Sequence, residues 1–190
     1  MPPLNHAVLS ASSAYRWLEC PPSALATADI PDETTIYAQE GSAAHEMAEY
    51  KIRWHLGAKD LAPPNVGNFN AEEIDRYTDS YAYYATDKIE TIRKICPDAI
   101  VMVEQRLDFS NYVKDGFGTG DLVIVADDVL QVIDFKYGKG VTVSAELNPQ
   151  MMLYALGALN LYGYLYDIKT VKTAIVQPRL DNISEWEISV

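Results

Sequence analysis

Two cysteines in 190 residues, Cys20 and Cys96, give neither a disulfide framework nor a closed cysteine metal site. No apolar run reaches the roughly 18 residues of a membrane-spanning helix, so the chain reads as soluble, with no membrane partner. Its start, Met1-Pro2-Pro3-Leu4-Asn5-His6, lacks a basic residue ahead of an apolar stretch, so no secretory signal is legible. A reducing, cytoplasmic setting is the expectation that follows. Positive charge is scarce too: 15 Lys and Arg against 27 Asp and Glu leave a net charge of −12. An overall basic surface for gripping phosphates is therefore excluded. A protein whose bound metal brings positive charge to a phosphate is not.

What the chain does have is core. Apolar residues make up 48% of it, with mixed charges besides, which argues for a globular fold. A chain of this length forms one domain burying roughly 70% of its unfolded surface. Tyr15, Trp17 and Leu18 make a short apolar helical face behind the caps of Leu9-Ser10-Ala11-Ser12-Ser13, and Cys20-Pro21-Pro22 ends it. A Pro-, Asp- and Thr-rich loop runs from Asp29 to Thr35. Helices are expected over Glu40–Leu56 and Ala71–Ile95, the second carrying Tyr77, Tyr81 and Tyr84 on one face. From Ala99 the pattern turns to strands, over 100–109, 121–125 and 129–135, with a hairpin at Asp127-Asp128. A helix over 146–162 and strands over 171–177 and 183–190 complete it. The resulting expectation is an α/β domain over 1–190: helical over about 9–96, with a central mixed sheet over about 99–190. The chain stops at Ile188-Ser189-Val190 inside an apparent strand, which suggests a missing C-terminal segment.

The chemistry concentrates in Gly120-Asp121 and Ile133-Asp134-Phe135-Lys136. Asp121 begins one expected strand and Asp134 ends the next, so antiparallel pairing would bring both carboxylates to one end of the sheet. Magnesium accepts such a site, since one or two carboxylates plus substrate phosphate and water complete its octahedron. Alternation along the strand points Asp134 and Lys136 the same way, with Phe135 opposite. Lys136 would then orient or deprotonate an attacking water. A plainer reading has Asp121 and Asp134 as strand-end acids paired with Lys136 or Lys139.

These residues resemble the PD-(D/E)XK nuclease superfamily, and within it the RecB-type exonuclease branch, including phage-encoded RecB-like proteins. The resemblance runs from Leu9 to about Gln177. It takes in Gly120-Asp121, Asp134-Phe135-Lys136, the helical Gln150…Tyr154, the upstream Gly41-Ser42-Ala43-Ala44-His45 and the opening Leu9-Ser10-Ala11-Ser12 with Cys20-Pro21. It implies a restriction-endonuclease-like core behind an N-terminal helical portion. It also implies a Mg²⁺- or Mn²⁺-dependent deoxyribonuclease, an exonuclease acting in phage DNA recombination or processing in the bacterial cytoplasm. Its partners would be DNA and a phage recombination protein. Asp121 and Asp134 would hold metal, joined by His45 and the carbonyl of Phe135, with Lys136 as the catalytic lysine. Gln150 and Tyr154, four apart on one helix face, would touch DNA or hold that lysine. Glu104 matches an acid frequent in relatives and would assist the metal from just outside its ligands. Many relatives bind an iron–sulfur cluster through four cysteines, which this chain alone does not supply; Cys20 is then expected to be a buried structural residue. Two further readings stay open: a nuclease-like module that binds DNA or a partner without cutting, and a subunit active only with a missing segment or partner.

Overall fold

Alternation along the central strands divides the core into two. Leu122 and Ile124 face one way, Val123 and Val125 the other, and all four are fully buried. The structure, a computed structural model, describes residues 7–26 and 35–190. The opening Met1–His6 and most of the expected Asp29–Thr35 loop lie outside them.

Five strands form one sheet in chain order: β1 (Ile100–Asp108), β2 (Phe117–Ala126), β3 (Val129–Phe135), β4 (Thr170–Gln177) and β5 (Asn182–Ser189). Strands β1–β2, β2–β3 and β4–β5 pair antiparallel, while β3 and β4 are parallel. That parallel step needs a crossover, supplied by helix α5 (Pro149–Tyr162). Strand β3 lies at the centre with both faces covered, so Leu130 to Phe135 form an unbroken buried run. The expected mixed sheet flanked by helices is what the chain forms.

Helix α5 covers one face, together with a 3-10 helix (Ala11–Ser13), α1 (Ala14–Glu19) and α2 (Pro22–Ala26). Trp17 anchors this corner, donating its indole N–H to Ser10 O at 2.9 Å. Gly157 lets α5 come close to β1: a Cβ there would stand 2.9 Å from Leu107 Cβ. Helices α3 (Ile36–His55) and α4 (Ala71–Ile95) cover the other face through Ala44, Ala48, Ile52, Ile74, Tyr81, Ala85 and Ile89. Tyr81 is buried and stacked on Phe135 at 4.6 Å, so the tyrosine stripe of α4 is in part core.

Several boundaries differ from the sequence expectation, those of α3 and α5 for a capping reason. Helix α3 starts at Ile36 rather than Glu40 because Thr35 Oγ1 accepts the Ala38 N–H. Helix α5 starts at Pro149 rather than Glu146, since Asn148 caps Gln150 and Met151 and proline suits the first helical position. Pro22 does not merely end a helix; it opens α2. Asp121 does not begin its strand, because β2 starts four residues earlier at Phe117. Cys20 is exposed, against expectation, and Cys96 is the buried one. Among the described residues no helix is long and apolar enough to cross a membrane.

Candidate metal centre

Register brings three acids into line. The pairs Val103↔Leu122 and Gln105↔Gly120 leave Glu104 opposite Asp121, and Leu122↔Ile133 leaves Asp134 opposite Asp121 on the other side. Neither opposition is itself a ladder pair. Glu104 has φ of 53°, a left-handed conformation uncommon for a residue with a Cβ, and the ladder is interrupted there. Beyond Ile133, the Phe135 N–H donates to Asp121 Oδ2 at 2.6 Å instead of to a neighbouring carbonyl. The carboxylates thus stand where main-chain pairing gives way.

Helix α3 brings His45 to this row. Its ring lies 5.1 Å from the Phe135 ring, and its Nδ1 is 3.4 Å from Asp121 Oδ1. One ligand atom each from His45, Glu104 and Asp121 lie within 4.8 Å of one another. Asp134 stands beside this trio, buried and tied to the α5 side. Its Oδ1 accepts from Gln150 Nε2 at 3.2 Å. Its Oδ2 forms an ion pair with Lys136 Nζ at 2.9 Å. Lys136 Nζ in turn donates to Gln150 Oε1 at 3.0 Å, and Gln150 Nε2 also reaches Tyr154 Oη at 3.2 Å. Gln150 therefore holds the lysine with one end of its amide and the aspartate with the other.

Crowded negative charge shows in the titration of these groups. Burial alone would lower the His45 imidazole, but the carboxylates of Asp121, Asp134 and Glu104 outweigh it and push the ring up to about 9. Burial, with Asp121 close by, raises Glu104 to about 7. Burial also raises Asp134, against the pull of Lys136. Without a metal, a proton on His45 offsets part of the acidic field.

The donor set fits a hard divalent cation. In an octahedron with bonds of about 2.1 Å, neighbouring ligands lie about 3.0 Å apart and opposite ones about 4.2 Å, so the trio would have to draw in to close on one ion. Carboxylate oxygens suit Mg²⁺ and Mn²⁺, and the imidazole shifts the preference toward Mn²⁺. Asp134, its Oδ2 held by the Lys136 ammonium at 2.9 Å, is the adjacent carboxylate.

His45, Asp121, Asp134, Lys136, Gln150 and Tyr154 thus meet at the end of β3, where its pairing with β2 stops, with Phe135 contributing its N–H. Glu104, which the sequence reading set just outside the ligands, lies within the same 4.8 Å as His45 and Asp121. Its strand position was legible, but the left-handed turn of its backbone was not. Other lysines of the sheet half pair elsewhere. Lys169 pairs with Asp167, Lys172 with Glu187 and Lys139 with Glu73.

Residues 6–190 match the family described as "Protein of unknown function (DUF2800)", and the chain belongs to that family. Among solved structures it is similar to one titled "Crystal structure of SSO0001". The two are 17% identical, over 93% of this chain and 77% of that one, with a TM-score of 0.27. Likeness at that score carries no argument about fold or function.

Proposed function

We propose that this DUF2800 chain is a metal-dependent deoxyribonuclease of the PD-(D/E)XK kind, an exonuclease that hydrolyses DNA phosphodiesters. One observation carries the reading: acids from three adjacent strands and an imidazole from α3 meet beside an ammonium group that Gln150 holds in place. Bound by His45, Glu104 and Asp121, with Asp134 alongside, Mg²⁺ or Mn²⁺ would supply Lewis-acid stabilisation of the charge that builds on the phosphate.

The chain's own groups have separate tasks. His45 releases its proton on becoming a ligand, so its elevated basicity sets a competition between protons and metal. Asp121 is held in one orientation by the Phe135 N–H. Lys136, restrained by Gln150, presents its ammonium beside Asp134, where it orients the water that attacks phosphorus. Tyr154, hydrogen-bonded to Gln150, limits that amide to one pose. Exonuclease rather than endonuclease action is inferred from the likeness of Gly41…His45 and Gln150…Tyr154 to exonucleolytic proteins. On the same basis the setting would be phage DNA recombination or processing in a bacterial cytoplasm, with a recombination protein as partner.

The net charge of −12 favours one rival, a module that holds DNA or a partner without cutting. Labelled single- and double-stranded linear DNA incubated with Mg²⁺ or Mn²⁺, beside Asp134→Ala and Lys136→Ala, separates the two. Cleavage lost in both variants supports the enzyme. Retention of DNA with no cleavage supports the module.

A further inference from the structure

The side chain of Arg179 is only 6% exposed. It sits on a 3-10 helix (Pro178–Leu180) directly after β4. Its Nη1 is 3.5 Å from Glu40 Oε1 on α3, and its Nη2 is 2.7 Å from Glu73 Oε1 on α4. The guanidinium lies 4.4 Å from the Tyr137 ring and 5.7 Å from the Tyr77 ring. Tyr137 also donates its hydroxyl to Glu40 Oε1 at 3.3 Å. Both covering helices, the segment after β3 and the segment after β4 converge on one buried cation.

Two routes lead from this cation to His45. Glu40 lies on the same helix, little more than a turn before the imidazole. Tyr137 lies 6.2 Å from the Phe135 ring, which in turn is 5.1 Å from the His45 ring. We infer that Arg179 is a positioning residue: through Glu40 and Tyr137 it fixes α3, and with it the His45 imidazole, over the acidic end of the sheet. The inference rests on the proposed role of His45 in holding metal.

The chemistry supports placement over phosphate binding. Two glutamates neutralise the guanidinium, and burial removes it from a passing strand. Among the described residues its Nε has no acceptor, so its pose is set by the Nη hydrogen bonds to the two glutamates and by the ring face. Buried ion pairs add little net stability compared with apolar filling, and what they set best is which surfaces meet and how.

Mn²⁺ titration by calorimetry, with the paramagnetic signal of free Mn²⁺ as a second readout, tests this directly. Arg179→Met is expected to weaken Mn²⁺ binding by about 10-fold or more, the range for residues that orient a ligand from behind. Arg179→Lys, whose ammonium cannot span both glutamates, should fall between. Lys172→Met, which breaks an exposed pair with Glu187, should leave Mn²⁺ affinity unchanged. In DNA cleavage, Arg179→Met should raise the Mn²⁺ concentration for half-maximal rate in the same proportion, with the rate recovering at saturating Mn²⁺. Should Arg179→Met fail to fold, Glu40→Gln, which keeps the Glu73 pair, reads the same effect in milder form. Wild-type Mn²⁺ affinity in the folded variants, or a lost rate that Mn²⁺ cannot restore, would overturn the inference. A wild-type chain that takes up no Mn²⁺ is a distinct result: it would remove the metal reading and this inference with it.

Discussion

Asp121 and Phe135 are joined where their strands stop pairing: the carboxylate accepts the Phe135 N–H at 2.6 Å, in place of the next ladder bond. One side chain thus both closes the β2–β3 junction and belongs to the metal trio. The two duties are separable by mutation. Asp121→Asn keeps an oxygen for the N–H and should melt close to the wild type while losing Mn²⁺ binding. Asp121→Ala also leaves that N–H without its partner, and should cost about 1–3 kcal/mol in urea unfolding.

Lys136 and Gln150 should differ in what they remove. Lys136→Met takes away the group proposed to orient water and should lower cleavage by roughly 10²–10⁴-fold while Mn²⁺ still binds. Gln150→Ala leaves both Lys136 and Asp134 but frees them to move, for an expected loss of about 10–100-fold. Single-turnover cleavage at saturating Mn²⁺, beside Mn²⁺ titrations of both variants, checks the order.

Proton and metal should oppose each other. Glu104 is raised from 4.5 to about 7 and His45 from 6.5 to about 9, so both bind protons more tightly in the folded chain. A raised folded value gives stability that is complete below the unfolded value and lost as pH climbs through the folded one. Metal-free protein should therefore lose stability between about pH 5 and 9 on account of these two groups. Mn²⁺ should raise the melting temperature more at pH 8.5 than at pH 6, where protons hold the same atoms. Equal Mn²⁺ shifts at the two pH values would contradict this.

Gly157 gives a test away from the site. A methyl there meets Leu107 Cβ at 2.9 Å and the Leu107 carbonyl carbon at 3.2 Å, so α5 must shift from β1. Gly157→Ala should destabilise by about 1–3 kcal/mol through overpacking, despite the gain of about 1 kcal/mol in helix propensity. Urea unfolding measures the balance.

Much of this was legible in the sequence because it rests on short spacings. The strand pattern over 129–135, with the order of strands and helices, gave the mixed sheet. The Asp134…Lys136 spacing gave two side chains on one face, and the Gln150…Tyr154 spacing gave one helix face. What escaped depends on long-range placement. Glu104 enters the trio because of its φ and the register of β1 against β2. Arg179 draws in residues 40, 73, 77 and 137, which no local pattern connects. Cys20 was expected inside by analogy and lies outside, since the burial of a lone cysteine follows from neighbours distant in the chain.

The most direct measurement is a crystal structure of the chain soaked in Mn²⁺, read by anomalous scattering at the manganese edge. The expected result is one strong peak bonded to His45, Glu104 and Asp121, with Asp134 adjacent and Lys136 still on Gln150. A well-ordered sheet end with no manganese among those side chains, at millimolar Mn²⁺ and pH 8, would contradict the account.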